Sequence, residues 1–137
     1  MIENGKKKLV DKPFSPNVNR WLEVKIDIEM KIIQDEYQTG QKLPSIVGLS
    51  KMYGIGNTTS HKILNALSDE GICLKKRGGD KSGYFVNPHV KEKLLITHEN
   101  ELRLKISEAV KYAKSLRIDD NELLQKFKEA WAMVNEN

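Results

Sequence analysis

Between Gly54 and Gly71 the chain carries Thr58, Thr59, His61, Lys62 and Asn65, interleaved with Ser60, Leu64 and Leu67 at i, i+4 and i+7 and with Ile63 beside them. On a helix the second set shares one face and the first set the other. A strip of hydroxyl, amide, imidazole and ammonium groups without a carboxylate would then look outward. Such groups donate hydrogen bonds to phosphate oxygens and to base edges. The acidic pair Asp69-Glu70 comes only at the far end. Outward Thr, Asn and Lys are also ordinary on any surface helix, so the next segment has to decide.

That segment is Ile72-Cys73-Leu74-Lys75-Lys76-Arg77, a strand-like run ending in three cations, then Gly78-Gly79-Asp80-Lys81-Ser82-Gly83, which turns back into Tyr84-Phe85-Val86. A hairpin with a flexible basic tip suits a phosphate backbone or a minor groove. A nucleotide-binding loop is excluded because Asp80 precedes Lys81-Ser82 where that motif requires glycine. No nucleophile, carboxylate pair or metal-ligand spacing appears, and His61, His89 and His98 are scattered. No enzyme, metal or cofactor is expected. Cys73 has no partner for an internal disulfide and reads as a small buried hydrophobe in a reducing cytoplasm.

The elements that would hold these groups follow from punctuation and period. Ser45 is a good N-cap, and Leu49 with Met52 or Tyr53 gives the apolar stripe of a helix about two turns long, which Gly54 stops. Ile55 would plug the turn into the next helix, which Asn57 or Thr58 can cap. Upstream, Trp21, Leu22, Ile28 and Ile32, with Val24, Ile26 and Ile33 nearby, mark a long amphipathic helix from Val18 to Tyr37, closed by Thr39-Gly40. Gln41-Lys42-Leu43 is a short strand able to pair with the hairpin. Two short helices at a glycine turn followed by a Gly-rich hairpin is the order of a DNA-binding winged helix-turn-helix.

These residues resemble the DNA-binding domain of the GntR superfamily of bacterial transcription regulators. The resemblance rests on Gly40, Leu43-Pro44-Ser45, Leu49, Tyr53-Gly54-Ile55, Thr59, Lys62, Leu64, Leu67, Glu70-Gly71-Ile72, Lys76-Arg77-Gly78 and Gly83-Tyr84-Phe85-Val86. Where that family usually places arginines, this chain has Val47, Asn57 and His61, and the hairpin carries about two extra residues. The candidate duplex contacts are Ser45, Asn57, Thr58, Thr59, His61, Lys62, Asn65, Lys76, Arg77, Gly78 and Lys81.

The 137 residues carry a modest net charge of +4. Residues 42–91 hold eight cations against Asp69, Glu70 and Asp80, so the positive excess sits on the proposed binding half. Residues 1–17 mix Gly5, Lys6-Lys7-Lys8, Pro13 and Pro16 and read as an arm without regular structure. No apolar run approaches a membrane span and the N-terminus lacks a signal-peptide core, so a soluble cytoplasmic protein is expected.

After a winged domain at 18–88, residues 89–137 change character. Thr97 is a plausible N-cap for a helix to about Leu116, with Leu102, Ile106, Ala109, Val110 and Ala113 at spacings of three and four. Asp119 or Asp120 begins a second helix striped by Leu123, Leu124, Phe127, Trp131 and Val134. One hairpin cannot bury both faces, so they must meet the winged domain, a partner subunit, or both. The expected fold is mainly α with a small β-wing: a winged helix-turn-helix domain and a two-helix C-terminal dimerisation hairpin. Leu102, Ile106, Val110, Leu123, Leu124, Phe127 and Trp131 are its candidate dimer contacts. The resemblance narrows to the YtrA-like branch, in which two helices after the wing mediate dimerisation. About 50 residues there leave no room for the ligand-binding domain of the larger branches, so a small-molecule effector is not expected. The resemblance thus implies a homodimeric regulator, in the first instance a repressor, on a roughly palindromic operator in double-stranded DNA. The alternative is a winged module that has lost specific DNA contact and binds proteins.

Overall fold

A computed structural model describes residues 19–135. The N-terminal arm with its lysine run lies outside the described residues. The chain divides into two compact units between Leu95 and Ile96.

In the first unit, helix α1 runs Arg20–Ile33, α2 Ile46–Tyr53 and α3 Asn57–Asp69, followed by strands β1 (Cys73–Lys76) and β2 (Gly83–Val86). Val24, Ile28 and Ile32 of α1 recur every four residues and are fully buried, whereas Leu22 and Ile26 are exposed. They meet Leu49 and Tyr53 of α2, Ile63, Leu64 and Leu67 of α3, and Cys73, Tyr84 and Val86 of the strands in one core. Helix α1 stops at Ile33, short of the Tyr37 expected from the sequence. Asp35 takes a left-handed φ of 65°, and its N–H bonds the Ile32 carbonyl while that of Glu36 bonds Lys31. That is a Schellman closure with aspartate where glycine is usual, so the helix ends without waiting for Gly40.

Ser45 caps α2 by accepting the Gly48 N–H at 3.0 Å, and Gly54 ends it at φ 66°. The strands pair antiparallel with Cys73 opposite Val86 and Lys76 opposite Gly83. Gln41-Lys42-Leu43 contributes only an isolated bridge, Lys42 to Phe85, rather than a strand. The Leu43 N–H does bond the Tyr84 carbonyl at 2.7 Å, but buried Leu43 leads straight into the α2 cap and the ladder cannot lengthen.

Helix α4 (Lys91–Ser115) starts six residues before the expected Thr97. Asn87 accepts the His89 N–H at 3.0 Å, turning the chain at Pro88, and Val90 and Leu94 enter the first unit's core one helical turn apart. In the second unit α4 ends at Ser115, and Arg117 just beyond it is left-handed at φ 60°. Asp119 then accepts the Glu122 N–H at 2.8 Å and opens α5 (Asp120–Asn135).

Candidate nucleic-acid interface

Helix α3 presents its polar strip as its spacing requires. Ser60, Ile63, Leu64 and Leu67 are fully buried, Thr58, His61 and Lys62 are exposed, and Thr59 and Asn65 are half-buried. The cap differs from expectation. Gly56 is the N-cap and, having no side chain, makes no side-chain cap bond, while Asn57 is already the first helical residue. Its carboxamide oxygen instead accepts the Ser50 hydroxyl at 2.7 Å, and Ser50 Oγ also lies 2.7 Å from Ser60 Oγ. These bonds fix α3 against α2, which a helix this short needs in order to hold its place.

Two further links tie α1 to the end of α3 and to α2. Buried Lys25 of α1 reaches Glu29 at 2.6 Å and Glu70, at the end of α3, at 2.9 Å. Burial by itself would lower the Lys25 pKa, but the hydrogen bonds and charges of both glutamates outweigh it and the value is raised. Glu70 is thereby paired away from the polar strip. Arg20 donates to the Tyr53 carbonyl at 3.1 Å, and the Tyr53 hydroxyl donates to Asp27. Burial, then that bond, push the Tyr53 phenol well above its ordinary range.

The hairpin carries exposed Lys75, Lys76, Arg77 and Lys81, none of which forms an ion pair among the described residues. Gly78, at φ 131°, and a 3-10 turn over Gly79–Lys81 make its tip. The lysine stems are not loose. The Lys76 ammonium lies 4.9 Å from the Phe85 ring centre and that of Lys75 5.5 Å from Tyr84. On α3, Lys62 sits 4.5 Å over Trp21 of α1.

Two cations outside the expected set, Lys42 and Lys75, join this surface. Lys42 crosses Gly83 so closely that a Cβ there would meet its Cε at 2.6 Å, which places Lys42 at the neck of the hairpin. Lys75 and Tyr84 face each other across the strands. Their signal in the sequence was register, since a residue opposite the hairpin's return strand shares its surface, but the register needed coordinates.

Residues 21–85 match the family model "Bacterial regulatory proteins, gntR family". Those residues are a GntR-family domain. Solved structures with the same fold include a GntR-family transcriptional regulator from Listeria monocytogenes, at TM-score 0.67 and 19% identity over 85% of this chain and 98% of that one. A transcriptional regulator from Oenococcus oeni aligns at TM-score 0.69 and 13% identity, over 88% and 97%. A putative GntR regulator from Bacteroides thetaiotaomicron gives 0.60 and 20%, over 87% and 100%. No curated protein matches the sequence.

The GntR-family domain fixes α2–α3 as the helix-turn-helix and the hairpin as the wing. Of the three positions where arginines are usual, Val47 is 51% exposed, His61 is exposed on α3, and Asn57 is tied to α2. Cation is therefore concentrated on the wing rather than on the recognition helix. Among the described residues no helix is long and apolar enough to cross a membrane, and no group of histidine, cysteine and acidic residues could hold a metal ion.

Proposed function

We propose that this protein is a sequence-specific GntR-family transcriptional regulator of the YtrA-like branch, a cytoplasmic homodimer that represses by occupying a pseudo-palindromic operator. The observation that carries this reading is the pairing of a carboxylate-free face on α3, from Thr58 to Asn65, with a wing holding four exposed cations. The face suits the major groove, and the wing suits the adjacent backbone or minor groove. Dimerisation is assigned to the apolar faces of α4 and α5, including Leu102, Ile106, Val110, Leu123, Leu124, Phe127 and Trp131. The exposure of Leu102, Ile106, Leu124, Phe127 and Trp131 in the single chain, with Val110 and Leu123 half-buried beside them, supports it.

Titration of the protein against its own upstream DNA at several salt concentrations tests the reading. A regulator gives a preferred sequence and an affinity that falls steeply with salt, by a log–log slope of about −0.9 for each phosphate neutralised. Changing Lys76 and Arg77 together to alanine weakens binding to all sequences alike, whereas Thr59→Ala or His61→Ala alters the preferred sequence. No preferred sequence and a flat salt response would instead mark a protein-interaction module.

A further inference from the structure

The wing and the recognition helix are joined by a hydrogen bond between two side chains. The Tyr84 hydroxyl of β2 donates to Asn65 Oδ1 of α3 at 3.1 Å. Tyr84 is held firmly, buried to 6% exposure beneath the Lys75 ammonium, while Asn65 stands half-buried in the polar strip. The other end of the Asn65 amide lies 3.4 and 3.5 Å from the two ring nitrogens of His61, one helical turn back toward the start of α3. The carboxamide is thus turned with its oxygen toward the wing and its NH2 group toward the end of α3 that leads into a groove.

An asparagine free to rotate reads adenine with both ends, donating to N7 and accepting from N6. With one lone pair of its oxygen held by Tyr84 from behind, Asn65 leads with its NH2 group. We propose that Tyr84 is a positioning residue that presents Asn65 NH2-first, selecting against cytosine at one base of each half-site. Guanine O6 and N7, adenine N7 and thymine O4 accept in the major groove, whereas cytosine presents only its N4 donor and is rejected. This inference rests on the DNA-binding reading above and goes further, by naming the base class and the wing residue that sets it.

The test is selection of preferred sites from randomised duplex DNA with the full chain as wild type, Tyr84→Phe, Asn65→Ala and the double variant. In the wild type, one position per half-site disfavours cytosine by about tenfold, and Asn65→Ala abolishes that discrimination alone. Tyr84→Phe keeps the ring and loses the hydroxyl. It frees the amide to turn and admits cytosine at that position while affinity for random-sequence DNA and the thermal midpoint hold. The double variant matches Asn65→Ala, because Tyr84 acts only through Asn65. Asn65→Asp keeps an acceptor for Tyr84 but has no donor, so it moves the preference to cytosine or adenine even where Tyr84→Phe folds poorly. A folded Tyr84→Phe with the wild-type profile, a relaxed position that Asn65→Ala does not touch, or a wild-type preference for cytosine there would overturn the inference and leave the DNA-binding reading standing. A wild type with no preference at any position would remove both.

Discussion

Helices α1 and α5 carry apolar residues at the same helical spacing and meet opposite fates. On α1, Val24, Ile28 and Ile32 are shut into a core shared with α2, α3 and the strands. On α5, Leu124, Phe127, Trp131 and Val134 remain more than half exposed, as do Leu102 and Ile106 on α4. Periodicity therefore tells which face of a helix requires a cover and leaves the cover unnamed. The winged unit supplies its own from five elements, whereas the second unit has two helices whose faces need more apolar surface than they bring.

The largest expected effect breaks the self-sufficient side. Leu64→Ala opens a cavity at a fully buried position of α3 and should cost about 2–5 kcal/mol, read as a lower urea midpoint at unchanged slope. Next comes the open side. Phe127 and Trp131 stack with ring centres 5.9 Å apart and form the broadest apolar feature on α5. Trp131→Ala should weaken self-association by about 2 kcal/mol, roughly thirtyfold, as for an interface anchor. Sedimentation at several concentrations reads it. A variant as dimeric as the wild type would move the interface off α5.

How much of this could be seen in the residues depends on which rule each position obeys. The Leu-Pro-Ser cap, the Gly54 stop, the buried set of α3 and the existence of the wing hairpin all came from strong local signals, because serine caps and left-handed glycine have few alternatives. Gly71 closes α3 by the same Schellman bonds as Asp35 closes α1, yet only the glycine announces itself; aspartate tolerates the left-handed region without advertising it. Thr97 misled for a related reason. It looks like a cap, but Val90 and Leu94 gain more by entering the core as helix than Thr97 gains by starting one. In the candidate site, residue types on α3 were legible and partners were not. That Asn57 would bond Ser50, that Lys62 would lie over Trp21, and that Tyr84 would hold Asn65 are facts of tertiary packing.

Alkaline pH should also separate the two units. Burial, aided by Asp27, raises the phenol pKa of Tyr53, burial with Asp27 and Glu36 raises that of Tyr37, and Glu29 with Glu70 raises that of Lys25. Each group holds its proton more tightly folded than unfolded. Its contribution is complete below the unfolded values, about 10 for tyrosine and about 10.4 for lysine, and drains away as pH climbs through the folded values. Urea midpoints of the winged unit should hold up to about pH 9 and drop toward pH 11. Tyr53→Phe should flatten that decline, and an equally steep fall in the variant would show that Tyr53 is not its source.

The smallest effect sits at Ser45, where two roles share one oxygen. Ser45→Ala removes the bond from the Gly48 N–H and should cost about 1 kcal/mol, since the freed donor lies at an exposed helix start where water can reach it. That loss alone cannot distinguish a cap from a DNA contact. Ser45→Asp can, because aspartate caps as well as serine and its charge suits the positive end of α2, so the thermal midpoint should hold or rise. The same charge would repel a phosphate brought to that helix start. Retained stability with a several-fold loss of affinity for every sequence would place Ser45 against the backbone, while retained affinity would leave it a cap and move the contact surface wholly onto α3 and the wing.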